Sequence, residues 1–163
     1  MSVNKNRPHV LVLPEDRANS QLANGFHLEV DWNRQRQMQV LPVAGGWYHA
    51  LELFKSEHIS QMERYPNQFM VLLIDFDEKE DKLDKAKTFI PGHLRDRVFV
   101  LGSLDEPEDL KRAKLGSLEI IGSALAQDCR DDRYSTQGWG HDLLQHNKSE
   151  LDRLREHVRS ILF

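Results

Sequence analysis

Four apolar runs alternate with amphipathic stretches along this chain. The first, Val10-Leu11-Val12-Leu13 within 8–13, stops at Pro14-Glu15-Asp16, and the second spans 38–44, where Pro42 marks an edge or an irregularity. The third, Phe69-Met70-Val71-Leu72-Leu73-Ile74, is unbroken until Asp75, and the fourth covers 97–101. Short apolar runs bounded by turn residues predict strands buried on both faces, the pattern of a parallel sheet covered by helices. Between them, Ala18, Leu22, Ala23 and Phe26 predict a helix over 17–28, with a break or ending at Asn24-Gly25. Trp47, Leu51, Phe54, Ile59 and Met62 predict a second helix, and Leu83, Ala86 and Phe89 mark one face of a third over 79–89. Beyond the fourth strand, Pro107 opens a helix carrying Leu110. A further helix spans 117–129, residues 130–140 read as a loop, and 149–163 is an amphipathic helix docked on the body or facing a partner. This alternation predicts an α/β fold: a four-stranded, mostly parallel sheet with helices on both faces, followed by C-terminal helices.

Length and charge narrow the class. A chain of 163 residues and 19.0 kDa, 39% hydrophobic, suits one domain over 8–163, with a core of about 8–115 and a helical extension over 116–163. The formal charge of −4 leaves no overall basic footprint of the kind an autonomous nucleic-acid binder carries, so a second chain would supply much of the phosphate grip. Cys129, the single cysteine, excludes an internal disulfide and a multi-cysteine zinc site and reads as an inert thiol. No apolar stretch is long enough to cross a bilayer, so no membrane association is expected and the location reads as cytoplasmic.

In a parallel sheet all carboxyl ends lie on one edge, where sites form. Glu15, the Gly45-Gly46 turn, Asp75, Asp77 and the Asp105–Asp109 cluster each follow a predicted strand. Side chains alternate along a strand, so an extended backbone through Asp77 would point Asp75 and Asp77 the same way. Their repulsion would be relieved by a divalent cation, and three acidic groups on one edge favour Mg²⁺ or Mn²⁺. Competing readings stand beside each motif. Acids around Pro107 also serve a helix N-terminus, and Gly45-Gly46 is either an anion cradle or a tight turn. His141, His146 and Asn147 read as surface or loop residues, and Trp47 and Trp139 as packing anchors.

A glutamate after the first strand, glycines after the second and Asp-x-Asp after the third resemble the TOPRIM fold, a Rossmann-like family shared by topoisomerases, bacterial primases and overcoming-lysogenization-defect nucleases. Glu15 matches the family glutamate, Asn19 the polar position four residues on, and Asp75 and Asp77 the paired aspartates. The likeness covers about 8–115. Asp16 stands where the family has glycine, and Glu78-Lys79-Glu80 stands where a glycine usually closes the motif. The resemblance implies metal-dependent phosphodiester hydrolysis of DNA or RNA, with Mg²⁺ or Mn²⁺ on Glu15, Asp75 and Asp77 and a weaker match at Glu106 and Glu108. Glu15 is alternatively a general base. Lys111 or Lys114 would balance phosphate charge, set against ordinary solvated positions on a helix face. The nuclease branch works with an ATPase, which implies a partner ATPase here because no phosphate-binding loop occurs in this chain; self-association is a further expectation. Two alternatives remain: a TOPRIM-like binding or regulatory subunit without turnover, and a receiver-like phospho-acceptor domain, for which the lysine expected after a late strand is replaced by Leu101-Gly102-Ser103.

Overall fold

The computed structural model describes residues 2–79, 81–113 and 115–163. Its centre is a four-stranded, all-parallel sheet of β1 (His9–Pro14), β2 (Met38–Val40), β3 (Gln68–Leu73) and β4 (Val98–Leu101), in the order β2-β1-β3-β4. Every predicted strand is present, as are helices on both faces. Alternation along each strand divides the core in two. Val10, Val12, Val71 and Leu73 face one layer, formed by α1 (Arg17–Leu28), α6 (Leu118–Asp131) and α7 (Lys148–Leu162). Leu11, Leu13, Met70 and Leu72 face the other, formed by α2 (Trp47–Leu53), α3 (Ile59–Arg64) and α4 (Asp81–Lys87). The short α5 (Glu108–Arg112) follows β4 and packs Leu110 into the first layer. The C-terminal helices α6 and α7 therefore complete one layer of the fold together with α1. None of the described helices is long and apolar enough to cross a membrane.

Three local expectations change. The break at Asn24-Gly25 is absent, because α1 runs on to Leu28 and uses Gly25 for a close helix crossing. A Cβ on Gly25 would lie 2.0 Å from the Glu119 carbonyl oxygen, and one on Gly122 would lie 2.0 Å from that of Leu22, so α1 and α6 meet backbone to backbone. The second strand is three residues long. Pro42 has no N–H for a longer ladder, yet Leu41 and Ala44 still donate to the Val12 and Pro14 carbonyls and keep the segment along β1. The extended backbone of β3 does not reach Asp77. Ile74 and Phe76 continue the pairing with Leu101 and Ser103, and then Asp77 (φ 49) and Glu78 (φ 56) turn into the left-handed region.

Candidate functional site at the carboxyl edge

The chain leaves β1 to form β2 on one side and returns to form β3 on the other, so the topological switch point lies between β1 and β3. Open α/β sheets form their binding crevices outside the carboxyl ends of such a pair. Glu15 and Asp75 are the residues that emerge there. The Glu15 N–H donates to the Leu73 carbonyl (2.8 Å), and Glu15 Oε2 accepts from the Asp75 backbone N–H (2.7 Å). Asp75 is 5% exposed, and its Oδ1 accepts from Asn19 Nδ2 (2.9 Å). Asn19, fully buried, is itself placed by Asp16, whose Oδ1 caps α1 by accepting from the Asn19 backbone N–H (3.0 Å). Asp16 is thus the helix cap that aims Asn19 at Asp75.

Asp77 goes elsewhere. Its Oδ2 accepts from Lys82 Nζ (2.6 Å), and Lys82, only 2% exposed, also lies 4.8 Å over the Trp47 ring. Asn19 belongs to the α1 layer, whereas Lys82 and Trp47 belong to α4 and α2 on the opposite face. The left-handed turn at Asp77 therefore splits the Asp-x-Asp pair between the two faces of the sheet.

Burial dominates the electrostatics. The Asp75 carboxyl is pushed up to about 7, first by desolvation, with the Asn19 hydrogen bond opposing and the charges of Glu15, Asp16 and Asp77 adding. Glu15 is also raised, again first by burial, against the stabilising Asp75 N–H and the Lys82 charge. These environments disfavour charge on two neighbouring acids. Each uses one identified oxygen within the protein, and a dication would relieve both penalties, so Glu15 and Asp75 suit a divalent ion. Asp77 does not join them while it is paired with Lys82. Among the described residues, no group of three His, Cys, Asp or Glu side chains is placed to hold a metal ion.

The remaining sequence candidates lie outside this centre. The Gly45 and Gly46 N–H groups both donate to the Glu15 carbonyl (2.9 and 3.1 Å), so this turn ties the end of β1 and does not present those amides to an anion. Glu106, Glu108 and Lys111 are exposed around α5, and among the described residues none is hydrogen-bonded to Glu15, Asp75 or Asp77. Lys114 lies outside the described residues. Asn147 is buried at 2% rather than on the surface, and it bonds the Gly102 N–H and carbonyl together (3.1 and 2.8 Å), bracing the end of β4. His146 packs edge-on to Phe76 with centroids 5.0 Å apart, and burial lowers its pKa. Lys82 was hidden among the charges of 79–89. Its signal was its spacing, since 82, 86 and 89 share one helical face with the apolar Ala86 and Phe89.

No family model, curated protein or solved structure matches this chain.

Proposed function

We propose that this chain is a TOPRIM-like domain that hydrolyses phosphodiester bonds of nucleic acid at its carboxyl edge, with Mg²⁺ or Mn²⁺ held by Glu15 and Asp75. The supporting observation is the convergence of these two charge-disfavoured carboxyls at the β1/β3 switch point, braced by Asn19. When bound, the ion supplies Lewis-acid polarisation of a phosphate oxygen. Asn19 holds the Asp75 carboxylate in orientation, the Asp75 N–H holds that of Glu15, and the buried Lys82 ammonium, paired with Asp77, softens the negative potential a phosphate would meet. Nucleic acid is the substrate class of this reading, and a partner ATPase is its expected companion.

A second reading is favoured by the Lys82–Asp77 pair. An ammonium built into the acidic edge already compensates one carboxylate, as suits a TOPRIM-like binding or regulatory subunit without turnover. One experiment separates the two: calorimetric titration of Mn²⁺ and Mg²⁺ into wild type and Asp75→Asn, followed by incubation with plasmid and single-stranded DNA and RNA. Metal binding and cleavage lost together in the variant support hydrolysis. Metal binding without cleavage in the wild type supports the regulatory subunit, and absence of metal binding to the wild type rejects the metal-dependent reading.

A further inference from the structure

The opposite edge of the sheet carries the complementary chemistry. Parallel strands bring all four amino ends together, and basic residues precede each: Lys5 and Arg7 before β1, Arg34 and Arg36 before β2, Arg64 before β3, and Arg95 and Arg97 before β4. Some are committed to the fold. Arg34 Nη1 donates to the Phe163 carbonyl (2.9 Å) at the end of α7, and Arg97 donates to the carbonyls of Met62, Tyr65 and Gln68. Others stand in solvent. Lys5 and Arg64 lie over the Tyr65 ring at 5.1 and 5.5 Å, and Arg7 and Arg36 are both exposed.

Trp32, 88% exposed on the 3₁₀ turn Trp32–Gln37, lines one groove with Arg7 and Arg36. A tryptophan so placed gives up the burial that normally justifies its size. The groove it lines, about 340 Å³, includes Asn4, Arg7, Asn33, Arg36 and Gln37, and no acidic side chain lines it among the described residues. Its volume falls within the range of roughly 300–1,000 Å³ usual for ligand clefts. An exposed aromatic face, two exposed guanidinium groups and the amides of Asn4 and Asn33 along one groove match a base that stacks, phosphates that need countercharge and base edges that accept and donate hydrogen bonds. The end of this turn is tied down: the Asn4 N–H donates to the Arg36 carbonyl (3.2 Å), and the Gln37 side chain donates from Nε2 to the Ile161 carbonyl (3.0 Å).

We infer that the amino edge binds single-stranded nucleic acid, with a base stacked on Trp32 and phosphates on Arg7 and Arg36. Strand length sets this surface roughly 20 Å from the acidic edge, so it holds a strand and takes no part in bond cleavage. The inference stands independently of the metal site and is tested without metal.

The test is fluorescence anisotropy of labelled 12-mer oligothymidylate and oligouridylate with the full chain, in EDTA at low salt. Wild type is compared with Trp32→Ala and with Arg7→Glu/Arg36→Glu, and melting curves confirm that these exposed changes leave the fold intact. Trp32→Ala is expected to weaken binding at least about fivefold. The arginine variant is expected to weaken it further and to reduce the log–log slope of affinity against salt by about one for each phosphate that no longer meets a guanidinium. Equal binding by wild type and both variants, or no binding by wild type, overturns the inference. Duplex binding as tight as single-strand binding rejects the stacking role. Poly-aspartate of matched charge binding as tightly as the oligonucleotides also overturns it and points to an acidic protein partner. Because cleavage and divalent ions are absent from this assay, its failure is distinct from failure of the hydrolytic reading.

Discussion

Replacing Asp75 by asparagine should stabilise the protein in a pH-dependent way. Asp75 has an ordinary pKa of 3.8 and is held at about 7 in the fold. Between these values the folded state retains a proton that the unfolded state has lost, so wild-type stability falls as pH rises through that window. A tenfold change in proton affinity corresponds to about 1.4 kcal/mol, and a pKa difference of about three sets a ceiling of about 4 kcal/mol, reached above the folded pKa. The asparagine amide would keep the acceptor for Asn19 and remove the buried charge. The two proteins should therefore be closest in stability near pH 4, and the variant should gain progressively up to about pH 7–8 and then level off. Urea denaturation in EDTA at intervals from about pH 4 to about pH 8.5 measures this directly. Mg²⁺ or Mn²⁺ at the upper end should narrow the gap by stabilising wild type alone. Parallel stability curves across the range would refute the claim that burial holds Asp75 protonated at this edge.

The turn after Asp75 and the α1–α6 crossing invite three further tests by denaturant or thermal unfolding. Asp77→Ala strands the Lys82 ammonium, whose side chain is 3% exposed, and should cost about 3 kcal/mol, whereas Lys82→Met keeps a buried apolar stem, gives up the ammonium over Trp47 and leaves the half-exposed Asp77 to water, and should cost less than about 1 kcal/mol; equal losses would deny the buried cation its importance. Glu78→Gly should raise stability by about 0.5–1 kcal/mol, because Glu78 (φ 56) occupies a left-handed conformation that glycine adopts freely, and a fall in melting temperature would contradict this. Gly122→Ala should destabilise by about 3 kcal/mol through collision with the Leu22 carbonyl, and a neutral result would show that α1 and α6 can separate cheaply.

The sheet was legible in the sequence because strands buried on both faces leave unbroken apolar runs, and 69–74 is the clearest of these. The edge positions of Glu15 and Asp75 followed from strand order alone. The direction of Asp77 did not, since it depends on two left-handed residues that carry no glycine to announce them. Gly25 misled for the opposite reason. A glycine inside a helical pattern signals a break locally, and only the approach of Glu119 from far along the chain explains its presence within α1. Lys82 and Trp32 show the same limit: neither the burial of a lysine nor the exposure of a tryptophan can be read from residue type, because each reverses the usual preference.

Net charge proved the least informative number for function, and the topology explains why. In a parallel sheet every loop before a strand lies on one edge and every loop after a strand on the other. Here the first set carries Lys5, Arg7, Arg36, Arg64 and Arg95 against Asp31, Glu63 and Asp96, and the second carries Glu15, Asp75 and Asp77. The value of −4 averages two surfaces of opposite character and describes neither. Fields at a protein surface decay over about 10 Å at ordinary ionic strength, less than the length of β1, so each edge presents its own potential to a ligand. If the two proposals hold, an anionic strand would be favoured at the amino edge and a cation at the carboxyl edge. At that second edge Lys82 already supplies one positive charge from within the fold, and any incoming ion must reckon with it.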